Sequence, residues 1–153
     1  MTFLELRIPP VLQVIIIAIA MYGISKVFPL LPFFITGSAW MAAGLAIIGL
    51  CLGLMGVAEF KKAQTTVNPH TPENAVSLVT SGIYQYSRNP MYLGLVFILL
   101  GLALYLSHIL AFALLPVFII YMSRFQIQPE EKIMTYKFGN DYRAYLTQVR
   151  RWV

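Results

Sequence analysis

The chain has 153 residues, 59% of them hydrophobic and only 11% charged, where a soluble domain carries roughly 25% charged. That balance excludes an ordinary water-soluble globule and predicts an all-α, polytopic integral membrane protein, one domain over 1–153, because membrane spans use up most of the length. The net charge of +5 reads as orientation and attraction to anionic lipid headgroups, with no nucleic-acid partner. A lone Cys51 inside an apolar run excludes a disulfide framework and a thiolate metal site, and His70 and His108 stand too far apart in sequence to suggest a metal centre.

Residues 8–28 and 38–58 are the first two apolar runs, each close to the roughly 20 residues that cross about 30 Å of hydrocarbon, and together they make an N-terminal section over 1–58. Arg7 followed by an apolar stretch reaching Ala18-Ile19-Ala20 has the outline of a signal peptide. The run continues past Ala20, which favours a retained span. The second run carries Ala42, Ala46, Gly49, Gly53 and Gly56, small residues that let helix backbones approach closely in lipid. Intramolecular packing of a monomer is the expectation, with a dimer through Gly49 and Gly53 as the alternative.

A connecting loop over 59–90 comes next. Glu59-Phe60-Lys61-Lys62 reads as a frayed helix end whose lysines snorkel to the interface. The stretch from Thr65 to Pro72 contains two prolines and is expected to run extended across the end of the bundle. Asn89-Pro90 then signals a helix start, with Asn as cap and Pro in the first turn. Such an N-terminus presents unpaired N–H groups and a positive dipole end to anions, and Arg88 reinforces that preference.

Two shorter apolar runs, 91–106 and 109–122, are split by Ser107-His108. They read as a tight hairpin, giving four transmembrane helices; the alternative is one long kinked helix. With the hairpin, Arg7, Lys61, Lys62, Arg88, Arg124, Lys132, Lys137, Arg143, Arg150 and Arg151 fall on one side and Lys26 on the other. By the positive-inside rule both termini then face the cytosol, in a bacterial-type inner membrane or an endomembrane. The section 91–153 ends in an amphipathic helix that starts at Gln128-Pro129-Glu130-Glu131, has Gly139 as a break, and closes on an interfacial anchor, Val149-Arg150-Arg151-Trp152. Taken alone, the acids complement the helix dipole. The hairpin also returns Glu130 to the level of Arg88 and Asn89, so opposite charges converge on one pocket suited to a zwitterionic ligand.

Leu78-Val79-Thr80-Ser81-Gly82-x-Tyr84, Arg88-x-Pro90-x-Tyr92, Glu130-Glu131, Phe138-Gly139 and Tyr142-x-x-Tyr145 in combination resemble the isoprenylcysteine carboxyl methyltransferase and phospholipid methyltransferase family of membrane enzymes. The resemblance covers about residues 65–152. It implies S-adenosyl-L-methionine as cofactor, bound at the cytoplasmic face by Leu78, Val79, Tyr84, Asn89, Pro90, Tyr92 and Glu130, with Gly82, Arg88 and Glu131 as supporting partners. This chain departs from the prenylcysteine enzymes at Asn89, where they carry His, and at Gln126, where they carry a substrate-linked Arg. Asn can hydrogen-bond a cofactor but does not titrate near neutral pH.

Methyl transfer from a sulfonium is an in-line displacement in which positioning carries most of the catalysis. Arg124 is the expected partner of a carboxylate acceptor; for an amine acceptor, Glu131 or His70 is the expected proton acceptor. The acceptor is expected to be lipophilic or lipidated and to enter sideways from the membrane between the second span and the hairpin. Two other functions fit less well. A nicotinamide-dependent lipid or sterol reductase would want more cations for its pyrophosphate, and a non-catalytic membrane scaffold would leave the polar cluster without a purpose.

Overall fold

The computed structural model describes residues 5–28, 32–66 and 75–153; most of the segment expected to run extended, His70 included, lies outside them. Helix α1 (Pro10–Val27) opens on a proline, whose missing N–H is no loss in a first turn. Helix α2 (Ser38–Lys62) begins after Gly37, which turns the chain at φ 80°. Its C-terminus does not fray as expected. Glu59 accepts hydrogen bonds from Lys62 Nζ at 2.6 Å and from Ser81 Oγ at 2.7 Å, so the end of α2 is tied to the loop that returns beneath it.

That loop makes one 3-10 turn at Gly82–Gln85 and enters α3 (Pro90–Leu106) at the predicted proline. Helix α3 stops at Ser107, whose left-handed φ of 49° reverses the chain, and α4 (Ile109–Tyr121) begins two residues later. Tyr92 near the start of α3 meets Glu130 beyond the end of α4, so the two helices run antiparallel and the long-kinked-helix alternative does not apply. The turn is pinned from outside: Phe33 N donates to Ser107 O at 2.9 Å, and the buried His108 ring lies 2.7 Å from Phe28 O through Nε2.

Past α4 the helix widens into a π turn over Met122–Ile127 and continues as α5 (Gln128–Gln148), broken at Gly139 (φ 54°, ψ −122°). Among the described residues there is no strand, only an isolated bridge between Pro32 and His108.

Packing is led by glycine. A Cβ on Gly94 would stand 2.4 Å from the carbonyl oxygen of Gly49, and one on Gly101 2.8 Å from that of Ala42, so α2 and α3 lie backbone to backbone. The small residues of α2 at Ala42 and Gly49 therefore serve α3. Helix α1 packs on α3 and α4, and Met21, Leu99, Ala103, Phe118 and Met122 form the core between them. Outward faces are strongly apolar, with Trp40 84% and Phe34 98% exposed, a surface suited to hydrocarbon and costly in water. Among the described residues, three helices are long and apolar enough to cross a membrane: α1, α2 and the long stretch Ile109–Gln148; α3 is a shorter apolar helix.

Candidate functional site

At the end of the bundle where α2 stops and α3 starts, a cavity of about 110 Å³ opens between the first turns of α3 and α5. Of the residues singled out from sequence, Leu78, Val79, Tyr84, Arg88, Asn89, Tyr92, Glu130 and Glu131 line it. Two others support it from behind. Pro90 is fully buried in the first turn of α3, and Gly82 sits at φ 57° with Glu59 so close that a Cβ would lie 2.5 Å from its carboxyl carbon. Glycine is required there by backbone conformation and by space together.

Arg124 is elsewhere. Its side chain is 47% exposed and pairs at 3.7 Å with Glu5, so it is not placed to orient an acceptor. Two positions apart along a helix, Arg124 and Gln126 face nearly opposite ways. Gln126 and Glu130 are left on one face: Gln126 Nε2 donates to Glu130 Oε1 at 2.6 Å.

Glu130 is the chemically unusual group. Tyr92 Oη donates to the same oxygen at 2.6 Å, and Oε2 has no hydrogen-bond partner among the described residues. Burial pushes its carboxyl up to about 7; the bonds from Tyr92 and Gln126 oppose that rise, and neighbouring Glu131 adds to it. Desolvation wins because it acts on the whole carboxylate, whereas both hydrogen bonds converge on one oxygen.

Glu131, one residue on, is saturated. Arg151 donates from Nε at 3.0 Å and from Nη2 at 2.6 Å, and Arg88 Nη2 stands 3.0 Å from Oε1. Held by two guanidinium groups, it joins the start of α3 to the C-terminal tail, the supporting place that the resemblance implies. Asn89 is also taken up by the tail: its Nδ2 donates to Arg151 O at 2.9 Å, and Arg88 N donates to Arg150 O at 3.1 Å. The C-terminal segment, expected as an interfacial anchor, is thus strapped across the start of α3, with Trp152 Nε1 donating to Ser123 Oγ at 3.2 Å.

The break at Gly139 turns the last part of α5 back over the cavity. Tyr142 and Tyr145 line it, and Tyr145 Oη donates to Tyr84 O at 2.7 Å. Tyr84 packs edge-on against Phe60, and its own hydroxyl is buried without a partner among the described residues. Burial raises the phenols of Tyr84, Tyr142 and Tyr145, so all three stay neutral donors. Sequence reasoning missed Phe60 and Met134 as lining residues and, at Gln126, the bond to Glu130. Only Gln126 carried a readable signal, the four-residue spacing to Glu130.

The sequence profile described as phospholipid methyltransferase matches residues 38–141, from the first residue of α2 to just past the break in α5. That stretch includes every lining residue except Tyr142 and Tyr145. An uncharacterised protein of Haemophilus influenzae is 44% identical over 63 residues, which is 41% of this chain and the full length of that protein. No solved structure matches the chain significantly.

Proposed function

The chain belongs to the phospholipid methyltransferase family, and we propose that it is an S-adenosyl-L-methionine-dependent enzyme that methylates a lipophilic acceptor at the cytoplasmic face of a membrane. One observation carries this: a buried carboxylate, Glu130, with one oxygen uncommitted, in a cavity whose lining guanidinium, Arg88, is paired with Glu131. Such a cavity favours a cation. S-adenosylmethionine carries a sulfonium and an ammonium, and when bound it supplies an electrophilic methyl group.

In this reading Glu130 holds the ammonium, the unpartnered Tyr84 hydroxyl donates to an acceptor atom of the ligand, and Leu78, Val79 and Met134 give the pocket apolar walls. The tyrosines at the end of α5 exclude water, which strengthens each polar contact inside. With Arg88, the cation among its described lining residues, already paired to Glu131, the cavity suits an amine acceptor better than a carboxylate. The same pairing disfavours the reductase alternative, whose pyrophosphate would need free cations. All of 1–153 acts as one membrane domain with four crossings, α3 and α4 forming the last two, and with both termini cytosolic. We take it as a monomer, because Gly49 is occupied by Gly94 of the same chain.

Calorimetry on protein in lipid nanodiscs tests the reading. S-adenosylmethionine is expected to bind, and Glu130→Ala to weaken it at least tenfold, about 1.4 kcal/mol. Binding of NADPH with no binding of S-adenosylmethionine would sink it.

A further inference from the structure

A lipid acceptor needs a path for its chain, expected between α2 and the hairpin. Where the backbones of Gly49 and Gly94 touch, there is none. An opening adjoins that contact, with Gly49 itself in its lining. Because α1 packs on α3 and α4 while α2 packs on α3, α1 and α2 stand apart over α3 and leave a groove of about 330 Å³, within the usual range for ligand sites. Val11 forms one wall, Leu50, Gly53 and Leu54 the other, and Leu95 and Ile98 the floor.

Two features connect this apolar groove to the polar cavity. Met91 and Tyr92 line both. At the boundary stands Gly56, where a Cβ would lie 2.5 Å from Met91 Cγ and 3.3 Å from the Tyr84 hydroxyl. The partition therefore includes the flexible thioether of Met91, a side chain suited to yielding, beside a buried hydroxyl without a partner among the described residues. Hydrocarbon on one side and unspent hydrogen-bonding capacity on the other describe an amphiphile.

We propose that this groove holds the hydrocarbon chain of the methyl acceptor, and that the acceptor's polar head passes Met91 at Gly56 to meet Tyr84 inside the cavity. From Met91 to Ile98 the floor runs about 10 Å at the helical rise, so the groove grips the part of the chain nearest the head. The inference rests on the methyltransferase reading but makes a separate demand on α1 and α2.

Gly53 tests it, since nothing of the protein lies within 4 Å of a Cβ there and Gly53→Phe fills the groove without displacing a neighbour. The probes are a membrane phospholipid extract and the water-soluble headgroups obtained by deacylating it, with labelled S-adenosylmethionine and protein in nanodiscs. Gly53→Phe is expected to lower kcat/KM for the extract at least tenfold, to change it less than threefold for the deacylated headgroups, and to leave cofactor binding within twofold. Val11→Trp, reaching in from the opposite wall, should do the same. Unchanged transfer to the extract in both variants would show a groove filled by a structural lipid only, and would overturn the proposal. An equal loss on both probes, or a dimer that falls apart on substitution, would overturn it as well. Wild-type protein that methylates nothing in either preparation would instead bring down the methyltransferase reading, and this inference with it.

Discussion

Glu130 and Glu131 are adjacent, chemically identical and differently employed, and the difference lies in what surrounds each. Glu131 is held between Arg88 and Arg151, while Glu130 receives two neutral donors on one oxygen in a dry pocket. Folding raises the Glu130 carboxyl from an ordinary 4.5 to about 7, so between those values the folded state holds a proton the unfolded chain has lost. Its contribution to stability is therefore complete below about 4.5 and disappears as pH rises through 7, and it is on the order of 3 kcal/mol in size. Melting temperatures in detergent, wild type minus Glu130→Gln, should fall between pH 5 and pH 8. Cofactor affinity should move the opposite way, because a cationic ligand needs the ionised form: the dissociation constant is expected to drop nearly tenfold per pH unit up to 7 and then level off. A pH-independent affinity would separate Glu130 from the ammonium.

Among the elements, the break in α5 decides whether a cavity exists. Gly139 at φ 54° and ψ −122° occupies a region that L side chains avoid, at a cost of about 1 to 3 kcal/mol. Gly139→Ala is expected to straighten α5, withdraw Tyr142 and Tyr145 from the cavity, and cut cofactor affinity at least tenfold; the hydrogen bond from Tyr145 to Tyr84 O should go with it. Calorimetry and tyrosine-to-tryptophan fluorescence at position 145 would track both changes, and an alanine variant with full affinity would refute the argument. Gly139 as a break and Pro90 as a helix start were legible in the sequence because glycine and proline act through their own backbone. The π turn was not. Met122–Ile127 has no compositional mark that would announce it.

For the whole molecule, the seating of the α3–α4 hairpin in the membrane is directly testable, since α3 is shorter than the three long apolar helices among the described residues. Four crossings predict that cysteines replacing Lys26 and Ile109, in a Cys51→Ser background, react with an impermeant thiol reagent from the non-cytosolic side only, and a cysteine replacing Arg150 from the cytosolic side only. Ile109 is 53% exposed, so the label has access. Reaction of the Ile109 position from the cytosolic side would make the hairpin re-entrant.

Composition and punctuation alone determined the helical class, the positions of the apolar runs and the break between the last two at Ser107-His108, while the choice of a hairpin over one kinked helix waited for the tertiary contact of Tyr92 with Glu130. Class, runs and break arise from hydrophobicity and backbone preference, which are properties of single residues and their spacing. The tertiary structure decided which polar residues remain uncommitted. Arg88, Asn89 and Glu131 look like ligand-binding groups in sequence, yet Arg88 pairs with Glu131, Arg151 binds Glu131 as well, and the Arg151 carbonyl takes the Asn89 amide, from a strap about sixty positions away from Arg88 and Asn89. Glu130 and the Tyr84 hydroxyl keep unspent capacity because no such partner reaches them. A hydrogen bond is made with whatever neighbour the fold delivers, and that neighbour is not written beside the residue that needs it.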